Sequence, residues 1–356
     1  MLWVESILNC FMKSSQITIK DLARELNISP STVSRALKNN PNISDTTKKM
    51  VLELAEKWEY TPNSIASSLK SQKTNTIGVI IPEIVHFFFS TVIAGIQKVA
   101  NEANYSILFC QTEESFEREV LDTRALINHR VDGLLVSISK ETTNINHFKE
   151  VEKKNIPIVF FDRISKELDA SSVIVEDYEG AKKATLHLIE QGCKRVAHLA
   201  GPKHLNISKD RKRGYLDALK SNNMKLEEDY IQECGINKED GYHSTRILLQ
   251  LITPPDAIFA NSDMVALGAM QAIKEAGLLI PQDVAIIGFS NWPFSEMIDP
   301  QLSSISQSGF EIGKLATNLL LDEINSKDEV YVHKTEILPT ELIIRGSSLK
   351  NKPSRN

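Results

Sequence analysis

Apolar residues recur along this chain with two different rhythms. Over residues 17–60 they fall three and four apart, the spacing of one helical face. From Thr76 onward short apolar runs alternate with amphipathic stretches, the pattern of strands joined by crossover helices. Two kinds of architecture therefore follow one another in 356 residues, a length that already calls for at least two domains.

In the first region Thr18 can cap a short helix whose Leu22, Ala23 and Leu26 share a face. Asn27, Ile28 and Ser29 make a tight turn. Ser29 can then cap a second helix running from Pro30, whose missing N–H costs nothing at a first helical position, to about Leu37. Val33, Ala36 and Leu37 point toward the first helix and leave Ser31, Thr32, Ser34 and Arg35 outward. A third helix begins at Ser44 and sets Val51, Leu54, Ala55 and Trp58 on one face, closing a three-helix core. Hydroxyls and an arginine suit a DNA groove, since Ser and Thr bond phosphates or base edges and Arg can grip guanine in bidentate fashion. Taken alone, these residues describe a plain helical hairpin equally well. The stretch after Tyr60 breaks the helix, and Asn63 can cap a segment over residues 64–69 too short to be stable without a partner.

Candidate strands in the second region are 77–81, 106–109, 133–136, 158–161, 173–175, 195–200, 257–260 and 285–289, too many for one simple sheet. Helices over 91–102, 180–191 and 264–275 lie between them, with Gly192 and Gly277 as C-terminal caps. Ligands of open parallel sheets bind at the carboxyl ends of the strands. Ser137, Asp162 with Arg163, Ser262 with Asp263, and Ser290 with Asn291 follow apolar runs and are the candidates, although each is also an ordinary loop or cap residue.

Composition narrows the partners. Net charge is −5, yet residues 13–73 hold ten Lys and Arg against six Asp and Glu, so this segment carries +4 and the remainder −9. Only the N-terminal part suits a polyanion, and the excess is modest. Cys10, Cys110, Cys193 and Cys234 are scattered, with no CxxC pair or neighbouring His cluster, which predicts reduced thiols and no metal site. Residues 1–12 carry Glu5 and lack a basic start and a small-residue cleavage site, so they fit neither a signal peptide nor a membrane span. Translation is expected to start at Met12. Nucleophile elbows, phosphate loops and metal motifs are absent from the sequence, so no catalysis and no cofactor are expected.

Three motifs, Thr18-Ile19-Lys20-Asp21-Leu22-Ala23, Ser31-Thr32-Val33-Ser34-Arg35-Ala36-Leu37 and Tyr60-Thr61-Pro62-Asn63-Ser64-Ile65-Ala66-Ser67-Ser68-Leu69, closely resemble the lactose-repressor (LacI/GalR) family. The resemblance continues through Arg130-Val131-Asp132-Gly133-Leu134, Phe161-Asp162-Arg163, Arg211-Lys212-Arg213-Gly214-Tyr215, Asp263-Met264-Val265-Ala266-Leu267-Gly268 and Ile287-Gly288-Phe289, to about Gly346. It implies an all-α helix-turn-helix domain over 16–61, a hinge helix and linker over 62–74, and a two-lobed α/β body of the periplasmic-binding-protein type I fold, with doubly wound parallel sheets, over 75–346. Residues 1–15 are then an extension and 347–356 a polar tail.

The implied activity is that of a cytoplasmic transcriptional repressor, a homodimer on palindromic operator DNA, whose affinity for it is set by a small-molecule effector of the carbohydrate class. Carried over by motif, Thr18, Ser29, Pro30, Ser31, Thr32, Arg35, Asn63, Ala66 and Leu69 face DNA, with Leu69 as an apolar wedge in the minor groove. Phe88, Phe89, Ser137, Asp162, Arg211, Ser262, Asp263, Ser290 and Gln307 surround the effector cleft, with Asp162, Asp263 and Arg211 holding hydroxyls and Phe88, Phe89 or Trp292 stacking on a ring. This sequence departs from the family pattern at Ser67, where Arg is common, at Ser262, where Asn is frequent, and at Ser290, where Asp is usual. The last two alter hydrogen-bonding partners expected around the effector.

Overall fold

The computed structural model describes residues 17–60, 73–85, 87–327 and 331–350. Two compact units meet at Thr74 and Asn75. Asn63, Ala66 and Leu69, the remainder of the expected hinge segment and the proposed start at Met12 lie outside the described residues.

The first unit is built from α1 (Ile19–Glu25), α2 (Pro30–Leu37) and α3 (Asp45–Lys57). Leu22, Ala23, Val33, Ala36, Val51 and Ala55 form its core, with Leu54, Trp58 and Tyr60 packed against them. Each helix start carries a hydroxyl cap. Thr18 and Asp21 close a reciprocal capping box, Ser29 accepts from the Thr32 amide, and Ser44 accepts from that of Thr47. Asn27, at φ 51°, adopts the left-handed conformation that turns the chain from α1 into α2.

The second unit contains two six-stranded sheets. Its elements, in order, are β1 (Thr76–Ile81), α4 (Phe87–Glu102), β2 (Ser106–Gln111), α5 (Phe116–Asn128), β3 (Gly133–Val136), α6 (Asn146–Glu152), β4 (Ile158–Phe161), β5 (Ser171–Val175), α7 (Asp177–Glu190), β6 (Val196–Ala200), α8 (Asn206–Ser221), β7 (Ile231–Glu233), α9 (Lys238–Leu249), β8 (Ala257–Ala260), α10 (Asp263–Glu275), β9 (Ala285–Ser290), β10 (Ser303–Ser306), α11 (Gly309–Asn325), β11 (Thr335–Leu338) and β12 (Glu341–Ile343). The first sheet has the order β11-β5-β4-β3-β1-β2 and the second β12-β10-β9-β8-β6-β7; every neighbouring pair is parallel except β10 with β12. β1, β3, β4, β8 and β9 are apolar and buried almost throughout, as strands covered by helices on both faces must be.

The expected strands are all present. β7, β10, β11 and β12 were not anticipated: β7 is three residues of mixed polarity and β10 is Ser-Ser-Ile-Ser, so neither shows an apolar run. Gly192 and Gly277 follow α7 and α10 at φ 87° and 75°.

The chain passes between the lobes at three places: after β5, after β10, and between β11 and β12. Two of these passages are laced together, since the Glu176 amide donates to the Leu338 carbonyl at 3.0 Å and Lys183 donates to the Thr340 carbonyl at 3.2 Å.

Candidate functional site

In the helical unit, α2 turns its apolar Val33 and Ala36 inward, which leaves Ser29, Pro30, Ser31 and Arg35 exposed and Thr32 half-buried. Ser29 Oγ lies 2.8 Å from both Ser31 Oγ and Thr32 Oγ1, so three hydroxyls form one cluster at the positive end of the helix. Thr18 Oγ1 donates to Asp21 Oδ2 at 2.6 Å, and that bond holds the Asp21 carboxyl below the usual range. Arg35 stands one turn further along the same helix, exposed to solvent. The surface offers donors, acceptors and a cation to a polyanion, without burying any of them.

In the second unit, an open cavity with about 70 Å³ of internal volume lies between the lobes. It collects the carboxyl ends of the strands. Phe88 and Phe89 come from α4 beyond β1, Asp162 and Arg163 follow β4, Gly201 and Pro202 follow β6, Asn261 and Ser262 follow β8, Ser290 and Trp292 end and follow β9, and Gln307 follows β10. Leu205, Ile207, Ser208 and Arg211 of the α8 segment complete the wall with Ile236 and Met264. Of the expected effector residues, Phe88, Phe89, Asp162, Arg211, Ser262, Ser290 and Gln307 line this cavity.

The polar lining is held rigid from behind. Arg211 donates through Nε to Asp177 Oδ1 at 2.7 Å and through a terminal nitrogen to the Asn261 carbonyl, while its guanidinium lies 3.6 Å from the centre of the Phe289 ring. Burial pushes Asp177 up to about 6, against the pull of Arg211. Arg163 grips both oxygens of Glu114 at 2.9 and 2.8 Å, and both side chains are buried. Asp162, left-handed at φ 59°, is only 7% exposed, and burial raises its pKa while Arg163 and Arg211 oppose. Its carbonyl accepts from Asn206 Nδ2 at 3.0 Å, and Asn206 Oδ1 accepts from the Ile164 amide at 3.0 Å, so the first residue of α8 clasps the opposite lobe beside the cavity.

Two expected effector residues are placed elsewhere. Asp263 is fully buried and does not line the cavity: Ser304 Oγ donates to Oδ1 at 2.6 Å, and the Trp292 amide (2.6 Å) and Ser295 Oγ (3.3 Å) donate to Oδ2. Its carboxylate is occupied by protein donors, and burial lifts its pKa to about 6 despite those bonds. Ser137 is likewise fully buried at the end of β3 and outside the lining.

Sequence reasoning missed Asn261, Ser208 and the role of Arg163. Asn261 sits between the end of the predicted strand at residue 260 and the polar pair Ser262–Asp263, and Ser208 lies within a helix that the pattern does not single out. Nothing in the sequence paired Arg163 with Glu114, 49 residues away.

A family model described as bacterial regulatory proteins, lacI family, matches residues 18–63, and one described as a periplasmic binding protein-like domain matches residues 185–348. The chain is 33% identical over 339 residues to the ribose operon repressor of Halalkalibacterium halodurans, covering 95% of this chain and 99% of the relative. It is 34% identical over 334 residues to the transcriptional repressor CytR of Escherichia coli, covering 93% and 96%. Among solved structures, the lac repressor dimer bound to operator and the anti-inducer ONPF is similar at a TM-score of 0.83 and 25% identity, over 94% of this chain and 100% of the other. A LacI family regulator from Enterococcus faecium with bound ribose is similar at a TM-score of 0.68 and 28% identity, over 78% and 100%.

Proposed function

The chain belongs to the lacI family of bacterial regulatory proteins, and from that membership we propose that it is a dimeric transcriptional repressor acting in the cytoplasm on palindromic operator DNA, under the control of a carbohydrate effector. The observation that carries this reading is the joint presence, in one chain, of an exposed hydroxyl-and-arginine helix and an interlobe cavity with aromatic, carboxylate and guanidinium walls. Thr18, Ser29, Pro30, Ser31, Thr32 and Arg35 meet the major groove; Asn63, Ala66 and Leu69 act from the hinge. Asp162 and Arg211 bond ligand hydroxyls, Phe88, Phe89 and Trp292 pack against a ring, and Ser262, Ser290 and Gln307 complete the polar contacts.

Control follows from linkage. A ligand touching both lobes favours the arrangement that brings them together, and the three passages between the lobes carry the change to the dimer and its DNA-binding parts. Coupling of about 1–3 kcal/mol changes operator affinity roughly fivefold to 150-fold. The relatives are named repressors, and we assign this chain no catalysis.

The test is binding of the full chain to its own promoter region at fixed salt, with and without D-ribose, cellobiose and other sugars. A change of tenfold or more with one sugar supports the reading and gives its sign. Specific DNA binding unaffected by any sugar removes the carbohydrate part, and absence of specific DNA binding removes the whole.

A further inference from the structure

The turn that leaves β9 holds two successive non-glycine residues in left-handed backbone, Ser290 at φ 107° and Asn291 at φ 50°. Such conformations cost free energy in any residue with a Cβ and persist only where the surroundings over-determine them. Here the surroundings converge on one buried side chain. The Trp292 amide donates directly to Asp263 Oδ2, and the Asn291 amide donates at 2.9 Å to Ser304 Oγ, which itself donates to Asp263 Oδ1. Ser295 Oγ ties the far end of the same segment to Oδ2. Strand β9 makes room for the carboxylate: a Cβ at Gly288 would stand 2.1 Å from Asp263 Oδ1. The turn so held delivers Ser290 and Trp292 to the cavity wall.

We propose that Asp263 is a positioning residue for effector recognition, holding the strained Ser290–Asn291 turn so that Trp292 and Ser290 face the cavity, although it does not touch the ligand itself. The effector part rests on the proposed function above; the geometric part does not. The carboxylate acts as a double acceptor rather than as a charge. An asparagine turned to keep its oxygen toward the Trp292 amide can donate through its NH2 to Ser304 Oγ, which still accepts from the Asn291 amide, so the turn stays tied with the Ser304 bond reversed, whereas alanine abolishes it.

The test uses the full chain with Trp3 and Trp58 replaced by Phe, so that emission reports on Trp292 alone, and compares Asp263→Ala, Asp263→Asn and Ser304→Ala. Amide exchange at residues 290–296 is expected to quicken at least tenfold in Asp263→Ala, and several-fold in Ser304→Ala, with Trp292 more open to acrylamide quenching. Asp263→Asn is expected to stay within threefold of the parent, and exchange in β6 and β8 to remain unchanged. Titration with D-ribose, read as operator affinity, adds the functional arm: at least tenfold weaker response in Asp263→Ala, rescued in Asp263→Asn. If neither Asp263→Ala nor Ser304→Ala alters local exchange or quenching, or if exchange quickens uniformly across the unit, the proposal is wrong. A parent that does not respond to D-ribose defeats the ribose arm alone, because the exchange and quenching arms still decide the positioning claim.

Discussion

The two units of this chain treat charge in opposite ways. In the helical unit Ser29, Ser31 and Arg35 stand at the surface, and the core beneath holds Leu22, Val33 and Val51 with no buried charge among the described residues. In the two-lobed unit Glu114, Glu119, Asp162, Arg163, Asp177, Arg211 and Asp263 are all buried. The difference matches the partners. A DNA duplex is a surface larger than the unit that reads it, so recognition needs solvated groups that exchange water for phosphate or base. A small molecule is enclosed, so its polar contacts must be fixed in advance in a dry wall, with each buried charge paired or hydrogen-bonded. Stability and function are therefore separable in the first unit and entangled in the second.

Removing Arg211 is the strongest way to break that contrast. Arg211→Ala leaves Asp177 and the Asn261 carbonyl buried without their partner and is expected to cost about 3–5 kcal/mol in urea denaturation of the full chain. Loss of less than about 1 kcal/mol would show that the lobe wall tolerates an unpaired carboxylate.

His198 offers the next largest effect. It is stacked on Phe259 and near Tyr215, donates to the Phe259 carbonyl, and is held down to about 4 by burial. A histidine whose folded pKa is depressed stabilises the fold above its unfolded value near 6.5 and loses that contribution as pH falls through about 4, here about 3 kcal/mol. Asp177 and Asp263, raised to about 6, act in the opposite sense: their contribution is present at low pH and lost as pH rises through about 6. Comparing wild type with His198→Gln between pH 7 and pH 4 isolates the histidine, and the variant is expected to lose less stability on acidification. Equal acid sensitivity would mean that His198 does not titrate in the unfolding transition.

Arg35→Ala sharpens the contrast from the other side. Operator affinity is expected to fall by about 1–3 kcal/mol, while stability moves by no more than about 0.5 kcal/mol, because the side chain is exposed. A melting transition that shifts as much as the affinity would make Arg35 structural. The smallest effect is at Ser29, where alanine removes the acceptor for the Thr32 amide and is expected to destabilise the helical unit by about 1 kcal/mol, read by circular dichroism; glycine should cost only a few tenths.

The helical unit was legible almost to the residue. Its signals are local: Thr18, Ser29 and Ser44 as caps, Pro30 at a first helical position and Asn27 in the turn each declare a boundary within four residues. The buried strands were legible for the same reason, since Ile-Val-Phe-Phe or Ala-Ile-Phe-Ala needs no partner to be recognised as core. β10 was not, because serines in a strand are buried only where tertiary partners such as Ser347 and Ser348 satisfy them.

The cavity was legible as a set of strand ends, because topology alone puts those ends at one edge. Which of their side chains face inward was not. Asp263 and Ser262 are neighbours with similar sequence credentials, yet Ser262 lines the cavity while Asp263 points into a cluster of donors from a loop and a strand 29 to 41 residues further on. The sequence by itself determined the three helices of the first unit, the apolar buried strands, the order of the two architectures and the family, since periodicity, caps and motifs are properties of neighbouring residues. Only the tertiary structure decided which charges are paired and which face the ligand space. A buried carboxylate takes its role from whichever donors the fold brings within about 3 Å, and those donors lie far away along the chain.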